Sequence, residues 1–219
     1  MLVACEGIDG AGKNTLVTAV EKELLARDRP VARVAFPRYD DSAHAQLARC
    51  ALYGEMGDLM ESAYGMATLF ALDRAEIAED LAELSADGYI VLIDRFVASN
   101  AAYTAARQGW DGSTPSDADP VVTWVAELEF DRLGIPIPDL HIFLSTPPQI
   151  AAKRARDRED ADATRARDAY ERDSALQQRT AAAYEALARD QWQSPWIVVA
   201  PDDPDQQLIR VVDAIMNHT

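Results

Sequence analysis

Nine residues near the start of the chain, Gly7-Ile8-Asp9-Gly10-Ala11-Gly12-Lys13-Asn14-Thr15, constrain its fold more than any other feature. They follow an apolar run, Leu2–Cys5, that reads as a buried strand, and they open a helical pattern from about Asn14 to Ala26. Strand, glycine-rich turn and helix in this register make a phosphate-binding loop. The glycines let backbone N–H groups face inward on an anion, and the helix N-terminus adds positive potential. Lys13 supplies a point charge to the β- and γ-phosphates. Gly7, Gly10, Ala11, Gly12, Lys13, Asn14 and Thr15 are therefore candidate ATP-binding residues.

One position departs from the pattern. Asn14 stands where a serine or threonine hydroxyl usually binds Mg²⁺, and Thr15 comes one residue late, about 100° further round the helix. An amide oxygen is a poorer ligand than a carboxylate, so the metal is expected to lean on carboxylates elsewhere. Asp9 is one candidate, because a carboxylate inside a phosphate loop is unfavourable unless a cation or a sugar hydroxyl meets it. The bland alternative is that Asp9 only caps the turn.

The rest of the chain alternates apolar strands with helical patterns, the arrangement of βαβ units and a mainly parallel sheet. Further strands are predicted at Val31–Phe36, Tyr89–Ile93, Leu140–Leu144 and Ile197–Ala200. The all-apolar Tyr89–Ile93 is expected inside the sheet. Helical patterns cover roughly Ser62–Ser85, Ala98–Arg107, Pro120–Leu133, Pro148–Arg156, Asp168–Arg189 and Asp205–Met216, and Gly109–Asp119 reads as a surface loop. The fold class is α/β, a doubly wound parallel five-stranded sheet of the P-loop NTPase type flanked by helices. With 219 residues and neither repeat nor linker, residues 1–219 form one expected domain.

Composition narrows the partners. A formal net charge of −16 argues against nucleic acid. No apolar run approaches the ~20 residues needed to span a bilayer. Met1 leads straight into a strand without a basic n-region or cleavage site, and Cys5 and Cys50 lack metal-ligand spacing. A soluble cytoplasmic protein is the plain reading. Basic residues are nearly all arginine, Lys13, Lys22 and Lys153 being the only lysines, and the arginine fork suits bidentate phosphate contacts.

A second signal is Asp94-Arg95-Phe96, at the C-terminal end of the apolar strand Tyr89–Ile93. Open α/β sheets bind ligands at the carboxyl ends of their strands. Asp94 there can hold Mg²⁺ directly or through water, and Arg95 can bridge donor and acceptor phosphates.

Gly7–Thr15, Phe36-Pro37-Arg38-Tyr39, Phe70 with Asp73-Arg74, Asp94-Arg95-Phe96, Ser99-Asn100-Tyr103 and Arg165–Asp173 occur in order along essentially the whole chain. In this set and spacing the sequence resembles the bacterial thymidylate kinases of the type with a basic lid. The resemblance implies a kinase that transfers the γ-phosphoryl group of ATP to dTMP, with Mg²⁺, as a homodimer. It implies that Phe70 stacks on the pyrimidine, that Arg74 on the same helix face donates to thymine O4, and that Asn100 reads the base edge. Tyr103 would occupy the place of a ribose 2′-hydroxyl, and Phe36 and Tyr39 would belong to the acceptor-site loop. Asp168, Tyr170 and Glu171 would contact sugar, base and metal, with Glu171 and Asp9 compensating for Asn14. With Asp9 and Arg95 these complete the candidate dTMP site, and Asp9, Glu171 and Asp94 the candidate metal ligands.

Lys153–Arg172 is rich in charge. One reading is a solvated helix laced with i,i+4 pairs; the other is a mobile lid, approximately residues 152–166, whose arginines close on ATP. Arg154, Arg156 and Arg158 are the lid candidates, Arg158 carried as catalytic with Asp9, Lys13 and Arg95, and Arg154 and Arg156 as ATP-binding. A phosphate acceptor is already largely dianionic at neutral pH, so the chemistry needs cations rather than a base. None of His44, His141 and His218 adjoins the phosphate motifs. A deoxynucleoside kinase and a non-catalytic nucleotide-binding module are the competing readings.

Overall fold

The computed structural model describes residues 1–161, 167–201 and 203–218. Residues 162–166, which belong to the lid expected from the sequence and include Arg165, lie outside the described residues. Five parallel strands, β1 (Leu2–Glu6), β2 (Val31–Ala35), β3 (Ile90–Asp94), β4 (Leu140–Leu144) and β5 (Trp196–Val199), form a sheet in the order β2-β3-β1-β4-β5. Every residue of β1 and β4 is buried, and β1 runs between β3 and β4 with Cys5 opposite both Asp94 and Ile142. Continuous apolar runs suit this position, because helices cover both faces of a parallel sheet. The edge strand β2 is only half-buried.

β1 is followed by α1 (Lys13–Ala26) and β3 by α5 (Val97–Arg107), so the two motifs singled out in the sequence leave the sheet side by side. The chain reverses its winding direction beside β1, the crevice where such sheets bind ligands.

Three predicted helices are interrupted. Ser62–Ser85 is two helices, α3 (Ala63–Ala75) and α4 (Ala78–Ala86), following α2 (Ala43–Leu52). The carbonyl of Asp73 accepts a 2.8 Å bond from Arg38 Nη2, while the Ile77 N–H turns to the Arg74 carbonyl three residues back. An arginine from the β2–α2 loop thus takes a helix acceptor and the helix breaks. Pro120–Leu133 is α6 (Pro120–Ala126) followed by a π-helical turn, Glu127–Arg132. Asp168–Arg189 divides into α8 (Ala169–Arg172) and α9 (Ser174–Arg189) because Asp173 leaves helical angles and caps α9 with its side chain. In the charged stretch, α7 (Pro148–Ala161) runs past the predicted end at Arg156, and α10 (Pro204–His218) closes the fold. Gly109–Asp119 is no free surface loop: Trp110 and Ser116 are buried, and Gly112, at φ +75°, lies so close to α9 that a Cβ would stand 2.6 Å from the Ala182 carbonyl oxygen.

Candidate active site

The phosphate loop is shaped by its glycines. Gly7, Gly10 and Gly12 adopt φ of +145°, +77° and +105°, a region open mainly to glycine. At Gly10 a Cβ would meet the Ala151 carbonyl oxygen at 2.2 Å, so this glycine also lets α7 pack onto the loop. Lys13 is buried, and its ammonium donates to the carbonyls of Gly7 and Ile8, both at 2.9 Å. Burial and the neighbouring Arg95 cation pull its pKa down to about 8, against the pull of Asp9 and Asp94. Asn14 is exposed and its side-chain oxygen accepts from Arg33 of β2; Thr15 is exposed as well.

Asp9 lies at the junction of this loop with the end of β3. It pairs with Arg95, and its other oxygen accepts from the Tyr103 hydroxyl at 2.7 Å and from Gln177 Nε2 at 3.3 Å. Burial would raise this carboxyl, but Arg95 and Lys13 dominate together with the Tyr103 bond and hold it at about 2. Arg95 has φ +66°, unusual for a side chain with a Cβ. Its backbone is braced by Glu6, a fully buried carboxylate that accepts from the next N–H, Phe96, at 2.9 Å and from the Ser99 hydroxyl at 2.6 Å. Burial raises the Glu6 pKa, opposed by those two bonds. Glu6 carried no sequence signal beyond being an acid at the end of an apolar strand.

A cavity of about 500 Å³ opens beside this junction. Asp9, Arg95 and Tyr103 line one end. Phe36, Tyr39, Phe70, Arg74 and Asn100 line it from the β2–α2 loop, α3 and α5, and the Phe36–Pro37 bond is cis. Arg158, Asp168, Tyr170 and Glu171 line it from α7 and α8. Every residue proposed from the sequence for the acceptor site therefore faces one space. Tyr103 and Tyr170 stack with ring centres 6.1 Å apart, and Arg95 sits over the Tyr103 ring at 5.4 Å. Arg107, which the sequence reading did not single out, sits over the Tyr170 ring at 5.0 Å and donates to its hydroxyl.

At the far end Arg74 forks onto Glu129, which also accepts from Asn100. Glu129, like Glu6 and Gln177, was not identified from the sequence, and Arg38 and Asp73 stood there as motif members without their pairing.

Burial, the Asp9 charge and Glu171 push Asp168 up to about 6, while its bonds to the α8 N-terminus oppose the rise. Asp168 and Glu171 form a capping box at that terminus. Glu171 also pairs with Arg158. The arginines of α7 diverge: Arg154 donates to the Ala11 carbonyl at 3.2 Å, Arg158 faces the cavity, and Arg156 is exposed. Asp94 is not among the cavity-lining residues. Among the described residues, no cluster of three or more His, Cys, Asp or Glu is placed to hold a metal. His44, His141 and His218 meet Glu76, Ser194 and the Ala214 carbonyl instead. No described helix is long and apolar enough to cross a membrane.

A parallel sheet of this order, with a phosphate loop after its central strand and a cavity lined by charged and aromatic side chains alongside, defines a protein of the P-loop NTPase fold. A family model described as "Thymidylate kinase" matches residues 5–206. The chain is 48% identical over 205 residues to the "Thymidylate kinase" of Mycobacterium tuberculosis, covering 93% of this chain and 94% of that one. It is 26% identical to the "Thymidylate kinase" of Thermosipho melanesiensis over the full length of both, and 33% identical to the "Probable thymidylate kinase" of Pyrobaculum aerophilum over 73% and 72%. The chain belongs to the thymidylate kinase family, and it is an enzyme of that class.

Proposed function

We propose that the protein transfers the γ-phosphoryl group of ATP to dTMP, giving ADP and dTDP for dTTP synthesis. One observation carries the reading: a single cavity has a ring, a guanidinium and an amide at one end (Phe70, Arg74, Asn100) and the Asp9–Arg95 pair beside the phosphate loop at the other.

In this account the thymine lies on Phe70 with its polar edge toward Arg74 and Asn100. The deoxyribose lies against Tyr103, which would occupy the place of a 2′-hydroxyl; Tyr39 and Asp168 complete the sugar pocket, and Tyr170 contacts the base. The acceptor phosphate reaches Arg95. The donor lies in the loop of Gly7, Gly10, Ala11 and Gly12, with Asn14 and Thr15 at the helix start. Arg154 stands beside it, and Arg156 belongs to the same donor side. The dianionic acceptor needs no deprotonation, so the barrier is repulsion between two anions brought in line. Lys13, Arg95 and Arg158 reduce it, acting on charge that develops in the transferred group.

The residues present fit Mg²⁺ bound mainly through phosphate oxygens and water, the usual mode in kinases, with only one or two carboxylates contributed by protein. Asp9 and Glu171 face the cavity and would supply these, exchanging their pairs with Arg95 and Arg158 for the ion, with Asp94 at the end of β3 as a further candidate. Bound there, the ion would supply charge neutralisation between the two phosphates. A cytoplasmic location and a homodimer belong to the same reading and rest on the family resemblance.

Phosphorus NMR of protein, ATP and Mg²⁺ tests the proposal. With dTMP added, ADP and dTDP should appear in equal amounts, and thymidine should give neither. Product from thymidine alone, or none from dTMP, would overturn it.

A further inference from the structure

Glu129 does not line the cavity, yet it touches both groups that end it. It is fully buried in the π-helical turn Glu127–Arg132, an irregularity that places its carboxylate under α3 and α5. Its Oε2 accepts from Arg74 Nε at 2.5 Å, and its Oε1 accepts from Arg74 Nη2 and from Asn100 Nδ2, both at 2.7 Å. Asn100 Nδ2 also donates to the Ala67 carbonyl at 2.9 Å.

These bonds fix a direction. A side-chain amide has nearly the same shape either way round, so its partners decide which atom faces where. Turning Asn100 over would press its oxygen against a carboxylate and a carbonyl at once. Both N–H groups are thus consumed, and Oδ1 is the atom left for the cavity, where the Thr104 hydroxyl meets it at 3.3 Å. The fork on Glu129 likewise leaves the Arg74 Nη1 donors free of it.

We propose that Glu129 is a positioning residue that sets the hydrogen-bonding polarity of the cavity's end, donor at Arg74 and acceptor at Asn100, and thereby selects a 4-oxo pyrimidine with a protonated N3 over a 4-amino pyrimidine. A 4-amino ring would set donor against Arg74 and bare N3 against the Asn100 oxygen. Sites built to pair with particular polar groups reject mispaired ones strongly, because buried donors and acceptors are left unmatched. The inference rests on the reading that this cavity takes a pyrimidine monophosphate.

The test compares kcat/KM for dTMP and dCMP in the wild type and in Glu129→Gln. A glutamine can donate to Asn100 Oδ1, so the amide becomes free to turn. The dTMP:dCMP ratio should fall at least tenfold, mainly through KM, while kcat at saturating dTMP changes little. Glu129→Asp keeps the charge but shortens its reach; it should give an intermediate ratio, and it decides the matter if the glutamine variant does not fold. A ratio unchanged in a folded variant, with both substrates losing equally, overturns the proposal. A wild type inactive on both monophosphates instead overturns the reading of the cavity on which it rests, and the proposal with it.

Discussion

Asp9 and Arg95, 86 residues apart in sequence, pair across the gap between the phosphate loop and the end of β3. The carboxylate holds the guanidinium at the mouth of the phosphate loop, where the proposed reaction needs a cation. The Arg95 backbone takes a left-handed angle, which costs about 1–2 kcal/mol for an L-residue and is tied down by the Glu6 bond to the Phe96 N–H. Removing the cation should therefore affect the transferred charge more than the bound ground state. Arg95→Ala is predicted to lower kcat by about 10²–10³-fold with a much smaller change in KM for dTMP. Steady-state kinetics check this; an unchanged kcat would contradict the role.

Lys13 is pulled down to about 8 by burial and by Arg95. It is charged below that pH and neutral above it. Since kcat/KM reports the free enzyme, kcat/KM for ATP should decline above pH 8 by about tenfold per unit. Arg95→Ala removes one cause of the depression and should move this limb to higher pH. A profile flat to pH 9.5 would contradict the assignment.

Asp168 has a folded-state pKa of about 6 against an ordinary 3.8. A carboxyl raised on folding binds its proton more tightly in the native state, so its contribution worsens as pH rises from about 4 to about 6. Asp168→Asn keeps an N-cap and removes the buried charge. The variant should be more stable at pH 7 by about 1–2 kcal/mol, allowing for solvent screening, and the advantage should vanish near pH 4. Thermal melts at the two pH values check it; an equal difference at both would contradict it.

Much of this candidate site is legible in the sequence. The loop Gly7–Thr15 announces itself because glycine spacing, lysine and helix start are local. The four-residue step from Phe70 to Arg74 put two functional groups on one helix face, and both do line the cavity. The partners that hold these groups were not legible. Glu6 meets Phe96 across 90 residues and Glu129 meets Arg74 across 55, and nothing beside either acid marks it as buried. The break after Ala75 was hidden for the same reason: its helical pattern is continuous, and the competing donor, Arg38, comes from another loop. Asn14 stands out in the sequence as a departure from the loop pattern, but its turn toward Arg33 depends on the neighbouring strand.

Gly10 and Gly54 both have positive φ, but only Gly10 is crowded. Gly10→Ala would set a methyl 2.2 Å from the Ala151 carbonyl oxygen and should abolish ATP binding, with a stability loss of about 3 kcal/mol or more. Gly54→Ala, with nothing within 4 Å, should cost only about 1–2 kcal/mol of backbone strain and leave activity intact. Calorimetric ATP titration and denaturant unfolding of the two variants would show the contrast; equal effects would contradict the packing argument.

The proposed transfer requires one cleft that seats a donor and an acceptor phosphate end to end. A bisubstrate compound, adenosine and thymidine joined 5′ to 5′ through a five-phosphate chain, tests this directly by steady-state inhibition. It should compete with both ATP and dTMP and bind more tightly than either alone. Competition with only one of them, or affinity no better than that of dTMP, would contradict a shared cleft.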